Sequence, residues 1–247
     1  MQFGAIIIGD EIMSGKRLDK HMAQLIATLA ERGLELAWCS YLADAPELIV
    51  ATLRRTLAGD DVVFSFGGIG ATPDDFTRQC AADAAGVELS LHPDAEVEIR
   101  GRFGKEITPQ RLMMGEFPAG SRVIPNPFNR IPGFSLGHHH FLPGFPQMAW
   151  PMMRWVLDNW YVALHAAGRI AECAIVVRGA GESQFIDLMK NCLARFPGIK
   201  VFSLPHIGDA DRRVELGVRG DTDRIPAAIA ELKSGVTALG YTWSELT

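Results

Sequence analysis

The chain has 247 residues, 48% of them hydrophobic, and a formal net charge of −5. This length suits one large or two ordinary domains with packed cores, and the negative charge, with no basic run to offset it, argues against a general affinity for nucleic acid or anionic membranes. The apolar N-terminal run has no basic leader and ends at Gly9, so it predicts a buried strand rather than a signal peptide or a membrane span. Four widely spaced cysteines without a CxxC motif predict reduced thiols in a cytoplasmic protein: Cys39, Cys80, Cys173 and Cys192.

Apolar strands alternate with helical patterns along the first two thirds of the chain, which is typical of a parallel sheet covered by helices on both faces. The predicted strands cover 3–8, 34–42, 61–66, 121–124 and 137–142. The predicted helices cover 19–32, 46–57, 76–85, 94–103, 108–114 and 147–161, with a bend in the last one at Pro151. Because proline donates no ladder hydrogen bond, Pro125-Asn126-Pro127 and Ile131-Pro132-Gly133 predict a shaped loop.

The pattern changes around 163–169, where the residues become small and mixed in character. Beyond this point we predict strands over 171–178, 200–204 and 213–219, and helices over 182–196 and 222–239, which together favour a small α+β sandwich with its helices on one face. The expected fold is a three-layer α/β/α domain with a mostly parallel sheet over 1–165, followed by a small α+β domain over 166–247.

The loop between the strand ending at Phe66 and the helix beginning at Phe76 combines glycines, a hydroxyl and two carboxylates: Gly67, Gly68, Gly70, Thr72, Asp74 and Asp75. Glycines let backbone N–H groups approach a ligand, and the helix N-terminus adds unpaired N–H groups, so the loop is suited to phosphate. A carboxylate beside a phosphate needs a cation, which predicts that Asp74 and Asp75 bind Mg²⁺ or another divalent ion. The structural alternative is that the glycines only make the turn and the acids only favour the first helical turn.

Three motifs follow predicted strands in order along the chain: Gly9-Asp10-Glu11-Ile12-Met13-Ser14-Gly15, Gly67-Gly68-Ile69-Gly70-Ala71-Thr72-Pro73-Asp74-Asp75-Phe76-Thr77 and Leu142-Pro143-Gly144-Phe145-Pro146. Together they resemble the molybdopterin-binding (MoCF) domain family, most closely the N-terminal part of the CinA-like competence/damage-inducible proteins. The resemblance covers about residues 1–165, and the unit after it is similar to the KH-like module of the same proteins. The chain departs from the family at Ala71, where proline is usual, and at Asp10, where the CinA-like proteins often have threonine. Those proteins often carry a further domain that deamidates nicotinamide mononucleotide, an activity that we do not expect here.

If the sheet is parallel, the loops after its strands meet at one edge, where doubly wound proteins bind ligands. The first motif would then hold a ribose or pterin group through Asp10, Glu11 and Ser14, beside Gly9. The resemblance implies that Asp75 and Asp44 are catalytic and directed at a cation shared with Asp74. It also implies that the ligand site is completed by residues of the later loops: Asn126, Pro143 and Gly144.

Two reactions fit this set of groups. The CinA-like resemblance implies a metal-dependent pyrophosphatase acting on ADP-ribose or a related nucleoside diphosphate derivative, which is the first-ranked hypothesis. The wider family implies adenylyl transfer to molybdopterin, and a non-catalytic protein that binds molybdopterin or a nucleotide is the third hypothesis. In each case the expected partner is a small nucleotide or pterin, and neither nucleic acid nor a membrane.

Three further features have simpler interpretations. His138-His139-His140 suggests a metal site, but neighbouring residues of a strand point to opposite faces, so the three rings cannot converge. Trp150, Trp155 and Trp160 lie among methionines and predict a buried helix or a subunit contact, from which we expect a homo-oligomer. The basic Gly-x-x-Gly clamp of an RNA-binding KH module is not evident in the second domain.

Overall fold

Residues 1–166, 169–206 and 212–246 are described by the computed structural model. The chain divides into two units, Met1–His165 and Ala166–Thr247. The predicted boundary at 163–169 falls partly on residues 167–168, which lie outside the described residues. The assignment of the second unit as KH-like stays a prediction.

The first unit is built on a six-stranded sheet with the order β2-β1-β3-β8-β7-β6. The strands of this unit are β1 Phe3–Ile8, β2 Leu36–Leu42, β3 Val62–Phe66, β4 Leu89–Leu91, β5 Glu116–Pro118, β6 Arg122–Ile124, β7 Gly133–Leu136 and β8 His139–Leu142. The helices are α1 Asp10–Met13, α2 His21–Ala30, α3 Pro46–Leu57, α4 Thr77–Ala85, α5 Pro93–Phe103, α6 Pro109–Met113 and α7 Pro146–Trp160. Two 3-10 turns cover Gly104–Glu106 and Val162–Leu164.

Helices cover both faces of this sheet because its central strands are apolar on both sides. All residues of β1, β3 and β8 are buried. Phe64 and its neighbours on one face pack in a core with Leu25 of α2 and Met152 of α7. Val63 and its neighbours on the other face pack with Leu53 of α3. The first unit therefore has the predicted three-layer α/β/α fold.

The sheet is mixed rather than uniformly parallel. Strands β2, β1, β3 and β8 run parallel to one another, whereas β7 and β6 are antiparallel to their neighbours. The predicted strand 137–142 is the second arm of a hairpin, and β7 begins at Gly133, inside the segment predicted as loop. Strands β4 and β5 form a separate two-stranded sheet that the prediction missed, since three residues carry too little periodicity to be recognised.

In its described residues, the second unit has a four-stranded antiparallel sheet, with the order β10-β11-β9-β12, and two helices. Its elements are β9 Ile170–Arg178, a 3-10 turn Glu182–Phe185, α8 Ile186–Arg195, β10 Lys200–His206, β11 Arg213–Asp221, α9 Ile225–Ala238 and β12 Trp243–Glu245. One face of the sheet, with Ile175 and Leu216, packs on Cys192 of α8 and Leu232 of α9. This is the expected small α+β domain, to which the structure adds the short strand β12.

Two of the three consecutive histidines, His139 and His140, are buried in the first unit, whereas His138 is exposed. His138 and His140 both approach the Tyr161 hydroxyl, at 3.5 and 2.8 Å, whereas His139 contacts the Thr56 hydroxyl at 2.9 Å on the other face. Within 1–166, 169–206 and 212–246, no group of three or more His, Cys, Asp or Glu side chains is arranged to hold a metal ion. The alternation of side chains along the strand thus places His139 and His140 on opposite faces of the sheet.

Helix α7 places its methionines in the core, where Met152 and Met153 are buried, and its tryptophans pack at the edge of that core. The homo-oligomer expected from this helix stays a prediction. Among the described residues, no helix has the length and apolar character needed to cross a membrane. All four cysteines are free thiols.

Candidate functional site

A cavity of about 430 Å³ lies in the first unit, next to the carboxyl ends of β1, β3 and β8. Its wall includes most of the residues predicted from the sequence: Gly9, Glu11, Asp44, Gly67, Gly68, Gly70, Thr72, Asp74, Asp75, Asn126, Pro143 and Gly144. The parallel arrangement of the three strands brings these loops together, as expected for a doubly wound sheet.

Asp10 and Ser14 lie beside this cavity rather than in its wall. They line an adjoining open shelf of about 630 Å³, whose border with the cavity includes Glu11, Asp44 and Asp74. The segment after Gly9 forms the short helix α1, in which the Ser14 amide donates to the Asp10 carbonyl at 2.8 Å. This single turn, which the sequence pattern did not reveal, directs both side chains to the shelf.

The glycine-rich loop has a backbone that only glycine accommodates easily. Gly67 and Gly68 have φ angles of +105° and +68°. A Cβ atom on Gly67 would lie 2.3 Å from the Ile8 carbonyl oxygen, and one on Gly68 would lie 2.2 Å from Thr77 Oγ1. Thr77 explains the close approach, since its hydroxyl donates to the Gly67 carbonyl at 3.0 Å and its amide to the Gly68 carbonyl at 2.9 Å.

These contacts use the carbonyl groups of the loop and leave its amides available. Among the described residues, the backbone N–H groups of residues 68–71 have no acceptor. Four consecutive unpaired N–H groups in a cavity wall, just before the N-terminus of α4, provide an electropositive surface. The arrangement is suited to a phosphate or another oxyanion.

Asp75 closes the loop in addition to lining the cavity. Its Oδ2 accepts hydrogen bonds from the Thr72 amide, at 2.9 Å, and from the Thr72 hydroxyl. A side chain on Gly70 would collide with this carboxylate, because a Cβ atom there would lie 2.4 Å from Oδ2. One oxygen of Asp75 is therefore occupied within the protein.

Asp44 and Asp10 hold each other in place. The Asp10 amide donates to Asp44 Oδ2 at 2.8 Å, and the Asp44 amide donates to Asp10 Oδ1 at 3.1 Å. Burial raises the pKa of Asp44, and the charges of Asp10, Asp74 and Glu11 raise it further, against the opposing hydrogen bond from the Asp10 amide. Like charges thus concentrate at the border of cavity and shelf, where a cation would reduce their repulsion.

Two buried residues that the sequence prediction missed form hydrogen bonds with the backbone of the loops that line the cavity. Arg78 is 1% exposed, and it donates to the Gly70 carbonyl at 2.8 Å and to the Met113 carbonyl. His21 stacks on Phe66 and contacts the Gly144 carbonyl through Nε2 at 3.1 Å, and burial lowers its pKa. The pattern gave no signal for Arg78, because one arginine in a helix is ordinarily solvated.

The loop after β6 forms another part of the wall, and Asn126 shapes it. The Asn126 side-chain amide donates to Asn129 Oδ1 and to the Ile131 carbonyl, both at 2.8 Å, and its Oδ1 accepts from the Phe128 amide at 3.0 Å. Both N–H groups of Asn126 are therefore committed to the loop, although the residue faces the cavity. Arg130 in this loop has a φ of +63°, a backbone conformation that residues other than glycine, asparagine and aspartate rarely adopt.

The rest of the cavity differs sharply in character from the glycine loop. Its apolar lining includes Met114, Ile131, Pro132, Phe145 and Met148. The cavity is also lined by one cationic side chain of the described residues, Arg17. A ligand with both an anionic group and an apolar or aromatic part would match this division.

Comparison with known proteins identifies relatives of both parts of the chain. The sequence pattern of the family described as "Probable molybdopterin binding domain" matches residues 4–161. A CinA-like protein of Anaeromyxobacter sp. (strain K) is 34% identical over 179 residues, which are 70% of this chain and 43% of that protein. A protein of Aeropyrum pernix is 30% identical over 255 residues, covering 97% of this chain and 95% of the relative.

A solved structure supports the fold. The crystal structure of the protein CinA of unknown function from Thermoplasma acidophilum is 29% identical, with a TM-score of 0.59, and the match covers 64% of this chain and 98% of that one. The chain spans less than half the length of the Anaeromyxobacter CinA-like proteins that it matches.

Proposed function

The chain belongs to the molybdopterin-binding (MoCF) domain family, and from this membership we propose that its cavity binds a phosphate-bearing nucleotide or pterin. We further propose that the protein hydrolyses the pyrophosphate bond of ADP-ribose or a related nucleoside diphosphate derivative with the help of a divalent cation. The observation that carries the proposal is the row of unpaired amides at residues 68–71, which shares one cavity with the carboxylates of Asp44 and Asp74. The amides would bind a phosphate, and the carboxylates would bind the cation that accompanies it.

The acidic residues fit a cation of the magnesium type. Mg²⁺ prefers oxygen ligands, and in phosphate sites it is held by one or two carboxylates together with phosphate oxygens and water. Asp74 is exposed at the border of the cavity, and Asp44 and one oxygen of Asp75 face the same space. Two of these carboxylates, Asp74 and Asp75, would hold the ion together with phosphate oxygens and water, and the ion when bound would supply charge neutralisation and polarisation of the phosphoryl oxygens.

The chemistry required of the protein is modest. Hydrolysis adds one water across the P–O–P bridge of ADP-ribose and gives AMP and ribose 5-phosphate. The loop amides would hold one phosphate and stabilise charge on it as the bridging bond breaks. Asp44, whose pKa burial and neighbouring acids raise, suits the acceptance of a proton from the attacking water.

The test is AMP release from ADP-ribose by the purified chain with Mg²⁺, measured by chromatography. Asp75→Asn should abolish release while the fold remains, because asparagine keeps the oxygen that accepts from Thr72. Asp83→Asn serves as the control, since Asp83 lies exposed on α4 and outside the cavity wall. If the unmodified protein releases no AMP from ADP-ribose, FAD or related diphosphates with any divalent cation, the hydrolase proposal is wrong.

Membership of the family favours a second candidate, in which the ligand is molybdopterin. An adenylyltransferase would form a product only when molybdopterin and ATP are both supplied. A protein that only binds the pterin would show affinity and no product. Calorimetry and product analysis with the same preparation separate these cases from the hydrolase.

A further inference from the structure

We propose that two copies of this chain pair about a two-fold axis, with strand β2 beside its counterpart and helix α2 packed against its counterpart. The proposal is independent of the proposed function. It concerns the edge of the first unit at which the six-stranded sheet ends with β2. Three observations support it: an open sheet edge, an apolar helix face beside that edge, and opposite charges at the two ends of that helix.

Strand β2 has one side of its backbone without a partner. It is the outer strand of the sheet, next to β1. The Leu42 carbonyl accepts from the Gly9 amide on the β1 side, at 3.0 Å. Because successive residues of a strand direct their backbone groups to opposite sides, the amides and carbonyls of Cys39 and Tyr41 face the open edge, where no strand or loop of the described residues bonds to them.

This edge lacks the features that ordinarily keep an edge strand from pairing with another chain, namely short length, charged side chains and proline. The opposite edge of the same sheet, β6, has three residues and begins with Arg122. Strand β2 has seven residues, and none of them is charged or proline. The edge at β2 is therefore suited to pairing with a further strand.

Helix α2 presents an apolar face to solvent. Every exposed position of α2 carries a small or aliphatic side chain: Ala23, Ile26, Ala27 and Ala30. Every exposed position of α7 carries a polar one: Gln147, Arg154, Asp158 and Asn159. A helix that is apolar on its outer face as well as its inner face is typical of one that is covered on both. The contrast favours α2 over α7 as the contact between copies.

The open edge and the apolar helix face meet at one level of the molecule. The Tyr41 hydroxyl lies 3.6 Å from Met22 Sδ, so the end of β2 is beside the start of α2. Helix α2 connects the parallel strands β1 and β2 and therefore runs opposite to them. Cys39 precedes Tyr41 by about 6.6 Å along the strand, and the four residues after Met22 cover about 6 Å of helix. A two-fold axis through Cys39 therefore also passes beside Ile26.

Strand pairing about this axis also determines how far apart the two helices lie. Paired strands are about 4.8 Å apart. Helix α2 packs on both β1 and β2, so it lies about one strand spacing from the axis. The two copies of α2 would then run antiparallel at about 10 Å, close to the distance of about 8–10 Å at which helices pack.

The charges at the ends of α2 identify the partner as a second copy. The N-terminal end carries exposed basic side chains: Lys16, Arg17 and Lys20. At the C-terminal end, Arg32 forms an ion pair with Asp158 at 2.7 Å and lies 3.5 Å from Glu31, whose side chain stays 60% exposed. Antiparallel pairing places the basic end of each helix beside Glu31 of the partner subunit. The surface is thus complementary to itself, as a two-fold interface requires.

The test introduces either charge at the helix position nearest to the axis. Ile26→Glu and Ile26→Lys each place two like charges across the axis, whereas an equimolar mixture of the two variants places opposite charges there. Association of the full chain is measured by sedimentation equilibrium, and the fold is checked by circular dichroism. Val97→Glu is the matched control, because Val97 is an aliphatic residue of α5 that is 64% exposed, compared with 46% for Ile26.

We expect the unmodified chain and Val97→Glu to form dimers. Each Ile26 variant alone should show a dissociation constant at least about tenfold higher, because like charges meet at the axis. The mixture of Ile26→Glu and Ile26→Lys should recover the dimer.

Amide hydrogen exchange, resolved by NMR, tests the pairing of β2 separately. The amides of Cys39 and Tyr41 should exchange slowly in the dimer and rapidly in monomeric Ile26→Glu. The amides of Ser40 and Leu42, which face β1, should remain protected in both and serve as the internal control.

Three results would overturn the proposal: a monomeric unmodified chain, a folded Ile26→Glu variant that remains dimeric, or a dimer in which the Cys39 and Tyr41 amides exchange rapidly. A dimer that persists in Ile26→Glu would place the contact on another surface, such as α7. If both Ile26 variants unfold, the exchange of these two amides in the unmodified dimer still decides the question.

Discussion

Replacing Gly68 by alanine tests whether the shape of the glycine loop is imposed by the contact with Thr77. Gly68 has a φ of +68°, and its new Cβ atom would lie 2.2 Å from Thr77 Oγ1. Gly86, at the end of α4, has a φ of +69° with nothing within 4 Å of the corresponding Cβ position. The pair Gly68→Ala and Gly86→Ala therefore shares the same backbone penalty and differs in the steric collision.

The backbone penalty for alanine in this left-handed region is about 1 kcal/mol. Relief of the collision in Gly68→Ala requires Thr77 to move, which breaks its buried hydrogen bond to the Gly67 carbonyl at a further cost of about 1–2 kcal/mol. We expect Gly86→Ala to lower the free energy of unfolding by about 1 kcal/mol and Gly68→Ala by about 2–3 kcal/mol. Because the carbonyls of the loop would shift, its amides would tilt, and AMP should bind at least about tenfold more weakly to Gly68→Ala alone.

Urea unfolding followed by tryptophan fluorescence measures these costs, since four of the five tryptophans, at positions 38, 150, 155 and 160, belong to the first unit. In a Thr77→Ala background the colliding oxygen is gone, so Gly68→Ala should then cost no more than Gly86→Ala. Equal costs for the two glycine variants in the unmodified protein, or an additive double variant, would refute the reasoning.

Four other predictions concern the interior, the cation and the assembly. Burial lowers the pKa of His139 to about 4 from its ordinary 6.5, so below pH 6.5 the unfolded state binds a proton that the folded state does not. The free energy of unfolding should therefore fall by about 2 kcal/mol between pH 7.5 and 5 through this residue, and His139→Gln should remove that part of the fall. Urea unfolding at both pH values measures the change, and the same pH dependence in His139→Gln would contradict the prediction. Arg78→Met should lower the free energy of unfolding by about 3 kcal/mol or more because buried carbonyls of Gly70 and Met113 lose their donor, and a melting temperature within a few degrees of the original would argue against this support. EDTA should stop AMP release without changing the melting temperature of the ligand-free protein; release that persists in EDTA would exclude the cation. Light scattering at micromolar concentration should give a mass greater than one chain, and a monomeric mass would disprove pairing through α7.

Long, strongly patterned elements could be predicted from the sequence. The bounds of β1 and α3 agree with the prediction, because a continuous apolar run and a proline at the first helical turn are unambiguous signals. The hairpin β7–β8 was predicted in part only. Its first strand begins at a glycine that follows a proline, where the local pattern indicates a loop. The segment forms a strand because it pairs with β8.

The site was predictable where chain order and sheet topology determine it. Loops that follow parallel strands must meet, which places Gly67 and Asp44 in one cavity. The single turn α1, which turns Asp10 and Ser14 to the shelf, is too short to show periodicity. The hydrogen bonds of Arg78 could not be read from the local pattern either, because the two carbonyls that it binds, those of Gly70 and Met113, are 8 and 35 residues away from it in the sequence.

The mutual hydrogen bonds of Asp10 and Asp44 affect how mutagenesis at this edge can be interpreted. Each carboxylate accepts from the main-chain amide of the other residue, so a substitution that removes one carboxylate also leaves the amide of the other residue without its acceptor. Their effects should therefore be strongly epistatic, and removal of one acid cannot be equated with removal of one charge. Replacement of both residues by asparagine retains an accepting oxygen on each side. It therefore separates the effect of the two charges from the effect of the two hydrogen bonds.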